Sequence, residues 1–339
     1  GGGRGPVTNQ KEKTLNHKNT LRRTTLALFA SAVFTGALPA LAQPKITRLV
    51  VAFPPGGPVD FVARTISEQL SKELGTQVII ENKAGANGAI AAEYVAKSAN
   101  DGSTLWLTSV GAVAINPSLY EKLSYDVARD LAPVSLVVNN VELLVVHPSN
   151  PASNGAEFIA NAKAGSKGVT MASSGTGSVP HLAMELLADA TKANLVHVPY
   201  KGAAPAITDV IAGHVDGFFG DIPGLMGHIK AGKLKPIAIA ALKRHPLLPD
   251  IKTYKEMGVN GVDSDNWYAI FASKSTPAAE IDRINQGVRR ALSNDAVRAK
   301  LLASGAEPAA STVAELTAVL ASDTAKWGKV IRDKKIKAD

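Results

Sequence analysis

The stretch Thr47–Arg64 reads TRLVVAFPPGGPVDFVAR. An apolar strand runs into a Pro/Gly turn, and the turn opens directly onto a helix. That arrangement aims unpaired backbone N–H groups and the positive end of a helix dipole at one point, which suits a carboxylate or a phosphate. Downstream, Val169–Leu187 (VTMASSGTGSVPHLAMELL) repeats the architecture in different residues. Two anion cradles on one chain, with no evident catalytic group between them, point to capture of a small anion.

Outward from these cradles, strands and helices alternate almost throughout, which argues for an α/β fold with mainly parallel sheets. Leu49–Phe53, Val78–Ile80 and Thr104–Thr108 read as strands. A helical apolar stripe (Val59, Val62, Ala63, Ile66, Leu70, Leu74) stops at Gly75. Ala89–Ala96 reads as a helix after the turn Gly85-Ala86-Asn87-Gly88. Two β-rich runs, Val134–Val138 and Leu143–His147, flank Asn139-Asn140, where the chain is expected to cross into a second lobe. Helices Ala156–Ala164, Val179–Thr191, Ala203–Ala212 and Gly224–Ala231 then alternate with strands Val169–Ala172, Val196–Pro199, Val215–Phe219 and Pro236–Ala241. Trp267–Ala272 is a strand suited to carry the chain back, before helices Ala278–Leu292, Asp295–Ala303 and Thr312–Ile331. Two connections between two lobes make a hinge, and the cleft they span is a natural ligand site.

The beginning of the chain reads differently. Lys11, Lys13, Lys18, Arg22 and Arg23 precede an apolar run, Thr24–Leu41, that ends in Ala40-Leu41-Ala42. This is the pattern of a secretory leader cleaved after Ala42, so the expected mature protein lies in the periplasm. The run is short for a bilayer span and is interrupted by Gly36 and Pro39. GGGRGPVTNQ at the extreme start reads as an extension and is set aside with the leader. Of 37 Lys+Arg and 29 Asp+Glu, six basic residues and one acidic residue fall within residues 1–42, so the formal charge of +8 drops to +3 without them. The basic balance belongs to the leader, and nucleic acid loses its main support as a partner. With no cysteine there is neither a disulfide framework nor a thiolate site. The seven histidines show no paired metal-ligand spacing, and no cofactor or metal is expected.

In the first loop, Phe53-Pro54-Pro55-Gly56-Gly57, the glycines permit positive φ and close approach of a ligand, while Pro58 suits the first helical turn. Asp60 reads first as compensation of the helix dipole. In the second loop, Ser174-Gly175-Thr176-Gly177-Ser178, hydroxyl and backbone donors precede a helix. Capping by Ser178 or Thr176 is compatible with anion contact there. No Lys follows Gly177 as a phosphate loop requires, Pro180 occupies the third glycine of a dinucleotide fingerprint, and Ser174 and Ser178 lie outside a nucleophile elbow. Ser109, Tyr200 and Asp221 end or follow apolar strands, where open α/β sheets place their ligands. Asp221 is a candidate acceptor for an ammonium or a hydroxyl, and Lys201 reads as solvated.

Together AFPPGGPVDFVAR, VIIENKAGANGAIAAEYVA, SSGTGSVPHLAMELL and VPYKGAAPAITDVIAGHVDGFF resemble the substrate-binding proteins of the tripartite tricarboxylate transporter family, often called Bug proteins. The resemblance runs from about Ile46 to Lys329 in the family's order. It implies a two-lobe periplasmic binding protein of type II, a Venus flytrap with its ligand cleft at the hinge. It also implies a monomer, not an enzyme, that holds a di- or tricarboxylate, an aromatic carboxylate or an acidic amino acid and delivers it to membrane permease subunits. The turn matching Phe53–Gly57 then grips one carboxylate through backbone groups and ordered waters. The loop matching Ser174–Ser178 meets the ligand from the other lobe, and Ser109, Tyr200 and Asp221 line the variable part. Pro58 stands where many relatives carry a small residue, which removes one amide donor. The expected lobes are 43–142 plus 263–339, and 143–262. Competing readings are an exported serine hydrolase using Ser174 or Ser178, and a partner that presents its ligand to a membrane sensor.

Overall fold

Two sheets organise the chain from Lys45 onward, and each carries helices on its faces. The computed structural model describes residues 1–5 and 45–338. Apart from its first five residues, the expected leader, with its cleavage after Ala42, lies outside them.

The first part of the chain runs β1 (Ile46–Val51), α1 (Pro58–Leu74), β2 (Gln77–Asn82), α2 (Ala89–Ala96) and β3 (Thr104–Ser109). A π-helical turn over Gly111–Ile115 and two short helices, α3 (Asn116–Leu119) and α4 (Val127–Asp130), lead to β4 (Leu131–Asn140). The second series is β5 (Glu142–Val146), α5 (Gly155–Ala164), β6 (Val169–Ser173), α6 (Val179–Thr191), β7 (Leu195–Pro199), α7 (Ala203–Ile211), β8 (Gly217–Asp221), α8 (Ile222–Lys230) and β9 (Lys235–Ile239). The chain returns through β10 (Asn266–Ser273) and ends in α9 (Ala278–Ser293), α10 (Asp295–Ser304), β11 (Glu307–Pro308) and α11 (Val313–Lys334). Among the described residues, no helix is long and apolar enough to cross a membrane.

The first sheet has the order β11-β4-β10-β3-β1-β2 and the second β7-β6-β8-β5-β9. Both are mixed, which corrects the expectation of mainly parallel pairing. β1 runs parallel to β2 and β3, and β6 parallel to β7 and β8. The strands at the crossings run the other way: β10 is antiparallel to β3 and β4, and β5 to β8 and β9. The reason lies in the connections. A strand that enters from the other sheet does not follow a right-handed crossover helix, and such helices are what force parallel pairing.

Local chemistry sets the element ends. Helix α1 starts with Pro58 and stops at Gly75, whose left-handed conformation (φ 65°) lets its N–H bond Ser71. Its predicted stripe is buried along its length. Leu49, Val50 and Val51 are all buried, as expected for a strand flanked by two neighbours and covered on both faces. In β5 the alternation divides the core: Leu144 and Val146 join one cluster with Met171 and Phe219, while Leu143 and Val145 join another with Ala172 and Phe218. Helices therefore cover both faces of the second sheet.

Candidate functional site

The two sequence-predicted loops come from different sheets and meet. The first follows β1, packed by its prolines onto the second sheet's helices. A β-carbon at Gly202 would lie 2.3 Å from Cδ of Pro54, and one at Gly224 3.0 Å from Cδ of Pro58. Pro58 is therefore a packing piece as well as the first residue of α1. Asp60 fixes the loop from within: its Oδ2 accepts from the Gly56 N–H at 3.0 Å and from Arg64 Nε at 2.8 Å, and its Oδ1 accepts from Asn82 Nδ2 at 3.0 Å. Asn82 also donates to the carbonyl of Phe53 at 3.0 Å. Burial works to raise the Asp60 pKa, but the bonds from Arg64, Gly56 and Asn82 outweigh it and hold the carboxyl below its ordinary value.

The second loop follows β6 and is ordered by hydroxyls and imidazoles. Ser173 Oγ accepts from the Gly175 N–H at 3.1 Å and lies 2.6 Å from Nε2 of His197. His181 Nδ1 accepts from the Gly177 N–H at 3.2 Å, and Ser178 Oγ caps α6 by accepting from the His181 N–H at 3.4 Å. The rings of His181 and His197 stack 3.9 Å apart at 7°. Gly175 and Gly177 have φ of 135° and 83°, a region that side-chain-bearing residues seldom occupy. Tyr120 reaches across from the first part of the chain and donates to the Thr176 carbonyl at 3.2 Å.

A small cavity of about 30 Å³ lies between the loops, lined by Phe53, Gly57, Ser109, Ser174, Ser178 and Asp221 of the predicted set. An adjoining one of about 220 Å³ is lined by Phe53, Ser174, Gly175, Thr176 and Tyr200. Pro54, Pro55, Gly56 and Gly177 line neither. Pro55 and Gly56 are exposed at the turn tip, and the Gly56 and Gly177 N–H groups are spent on Asp60 and His181. The donors left to a ligand are thus further in. The Val59 and Asp60 N–H groups have no intrahelical acceptor, by the geometry of any helix start. Tyr200 donates to Asp209 at 2.6 Å, and burial first, then Asp209, pushes its phenol up to about 12. Lys201 is exposed, at the rim of the adjoining cavity.

Residues that the sequence reading passed over complete the site. Asn266 and Tyr268, at the start of the returning strand β10, line the small cavity with Pro180, Ala203 and Phe218. Their signal was present in the strand that carries the chain back, since both crossings must converge on the hinge. Asn87 and Gly88 line the adjoining cavity. They sit in a strand–glycine turn–helix of the same kind as the two loops, read only as a turn. Asn87 and Asn116 bond each other at 3.0 Å, and Asn116 accompanies Leu119 against the second loop.

No cationic side chain lines the small cavity, and no group of three or more metal-ligating acids or histidines occurs among the described residues. Among the described residues two serines lie within reach of an imidazole: Ser173 is fully buried, and Ser149, beside His147, is exposed and lines neither cavity. The Ser178 hydroxyl serves as a helix cap. A larger groove of about 1,170 Å³ runs between α9, α11 and the segment from Val113 to Pro133. Tyr120 borders it, but none of the glycine-loop residues does.

A family model described as tripartite tricarboxylate transporter family receptor matches residues 62–336. Protein BugT of Bordetella pertussis is 34% identical over 287 residues, covering 84% of this chain and 88% of that protein. A solved structure of the periplasmic binding protein BugD superposes with a TM-score of 0.83 at 30% identity, over 86% of this chain and 98% of that one. The R. palustris protein Rpa4515, solved with adipate, superposes with a TM-score of 0.84 at 33% identity, over 87% and 98%.

Proposed function

Because the chain belongs to the tripartite tricarboxylate transporter receptor family, we propose that it captures a small organic carboxylate in the periplasm and hands it unaltered to membrane permease subunits. The observation that carries this reading is the convergence of two strand–glycine loop–helix starts, one from each sheet, on one cavity without a cationic side chain. Helix starts and backbone amides recognise the charge of a carboxylate without committing to the rest of the molecule. Each helix start contributes on the order of 0.3–1 kcal/mol, and more when partly buried.

Lobe limits of 43–142 plus 263–339, and 143–262, place the hinge at Asn140–Glu142 and before Asn266. The cavities are smaller than a typical ligand site of roughly 300–1,000 Å³, so entry requires the lobes to part and closure follows binding. Adipate in the R. palustris relative supports a dicarboxylate of similar length as the first candidate. A monomer exported by a leader cleaved after Ala42 completes the proposal.

The test is thermal unfolding with a panel of mono-, di- and tricarboxylates and acidic amino acids. At least one compound raises the melting temperature saturably, since a ligand of the folded state stabilises by RT ln(1 + [L]/Kd). A flat response across the panel overturns the proposal.

A further inference from the structure

The cleft floor carries a charge arrangement that the loops do not explain. Glu142 opens β5 and Asp221 closes β8, directly opposite each other in an antiparallel pair. They are 0% and 7% exposed, and around them Asn140, Asn266 and Tyr268 are 2%, 5% and 0% exposed. Asp221 accepts from Asn266 Nδ2 on both oxygens, at 3.2 and 2.9 Å, and from the Tyr268 hydroxyl. Neither oxygen of Glu142 has a well-formed hydrogen bond to any described residue, and the same holds for the amide atoms of Asn140. Asp221 lines the small cavity, and Glu142 lies behind it at the crossing between the sheets.

On the elements packed against this pair, most charged and titratable groups are engaged elsewhere. Asp209 on α7 accepts from Tyr200, and Lys235 on β9 donates to the Asn150 carbonyl. His228 and Lys230 lie in the last turn of α8, away from Asp221 at its start. β10 supplies the Tyr268 phenol and β4 only the neutral Asn140. On α1, Asp60 is turned to Gly56, Arg64 and Asn82. On α6, His181 bonds Gly177 and lies 3.7 Å from Glu185. Two carboxyls in contact, without a cation, do not both ionise.

Resting on the solute-capture reading above, we infer that Glu142 and Asp221 form a proton site of the cleft, so that an organic anion is captured together with a proton taken up from solution.

Glu142, buried and without a well-formed hydrogen bond to either oxygen, stays protonated: burial first and Asp221 second push it well above the usual carboxylate range, against a weaker opposing pull from Asn266. The remaining negative charge rests on Asp221, which accepts three hydrogen bonds from two protein donors, Asn266 Nδ2 and the Tyr268 hydroxyl. Burial still outweighs those donors and raises it to about 6. A second negative charge in the cavity that Asp221 lines drives it toward the neutral acid. A ligand ammonium would act in the opposite sense, but three of the lone-pair positions on Asp221 are already taken by Asn266 and Tyr268.

The test is titration calorimetry of the full mature chain with adipate, malate and glutamate near neutral pH, in two buffers of different ionisation enthalpy. For each compound that binds, the buffer dependence gives a net proton uptake approaching one. Affinity then falls by up to about tenfold per pH unit above about pH 6. Asp221→Asn removes both the uptake and the slope. Equal enthalpies in the two buffers for the unmodified protein overturn the inference, and so does proton release, the signature of an ammonium paired with ionised Asp221. Binding by no compound of the full carboxylate panel, these three included, overturns the capture reading on which the coupling stands. Infrared spectroscopy of the ligand-free protein tests the proton separately: a protonated-carboxyl C=O band persists at neutral pH and disappears in Glu142→Gln. Its absence in the unmodified protein overturns the proton site whatever binds.

Discussion

The two loops share one backbone plan but are held in different ways. The turn after β1 is framed by charge, with the Asp60 carboxylate gathering Gly56, Arg64 and Asn82. The turn after β6 is framed by hydroxyls and imidazoles, and its glycines press against Asn87, Asn116 and Leu119 of the first part of the chain. Both turns touch the opposite part of the chain, the first through Pro54 and Pro58 against Gly202 and Gly224, but the first is in addition tied to its own helix and to β2 by a charged acceptor. The second is a fitted surface whose value depends on contact across the cleft.

Paired glycine substitutions break or sharpen that contrast most strongly. Gly177 has φ 83° and a β-carbon there would lie 2.6 Å from Leu119 Cδ2. Gly56 has a similar φ of 86° but nothing within 4 Å. Both Gly→Ala changes carry the left-handed strain of about 1–2 kcal/mol. Only Gly177→Ala adds overlap across the cleft, roughly a further 1–3 kcal/mol. In a carboxylate titration, Gly177→Ala therefore loses affinity about tenfold or more beyond Gly56→Ala. Equal losses would show that the second loop is not a closing surface.

Next in size is Asp60→Asn, which leaves Arg64 and Gly56 without their charged acceptor and lowers stability by about 1.5–3 kcal/mol. The sign with pH follows from the depressed carboxyl. Its contribution is complete above the ordinary aspartate range and is lost as pH falls through the lower folded value. Chemical unfolding curves of wild type and variant thus diverge at neutral pH and converge below about pH 4. A gap that is constant with pH would contradict a charged frame.

The smallest effect is expected from Ser178→Ala, which removes the α6 cap for about 1 kcal/mol of stability at any pH between about 5 and 8. A pH-dependent loss there would mean that the second loop also rests on ionised groups.

Much of this was legible in the sequence because it depends on local spacing. The α1 stripe with its Pro58 start and Gly75 stop, and the bounds of α2 and α6, follow from periodicity and capping. Both glycine loops were legible for the same reason. The mixed sheet pairing was not, because strand direction at a crossing depends on where the chain came from rather than on the strand's own residues. Nor was the partner of Asp221: Glu142, Asn266 and Tyr268 are 45–79 residues away in sequence and converge only at the hinge. A backbone amide already spent within its own loop, as at Gly56 and Gly177, is likewise invisible without coordinates.

The central claim is that a carboxylate sits between the two helix starts. A crystal structure of the protein with the panel compound that stabilises it most decides this directly. The account predicts carboxylate oxygens within hydrogen-bond reach of the first-turn amides of α1 on one side and of the Ser174–Val179 loop on the other. A compound seated instead in the large groove beside α11, with the loops still closed and empty, would contradict it.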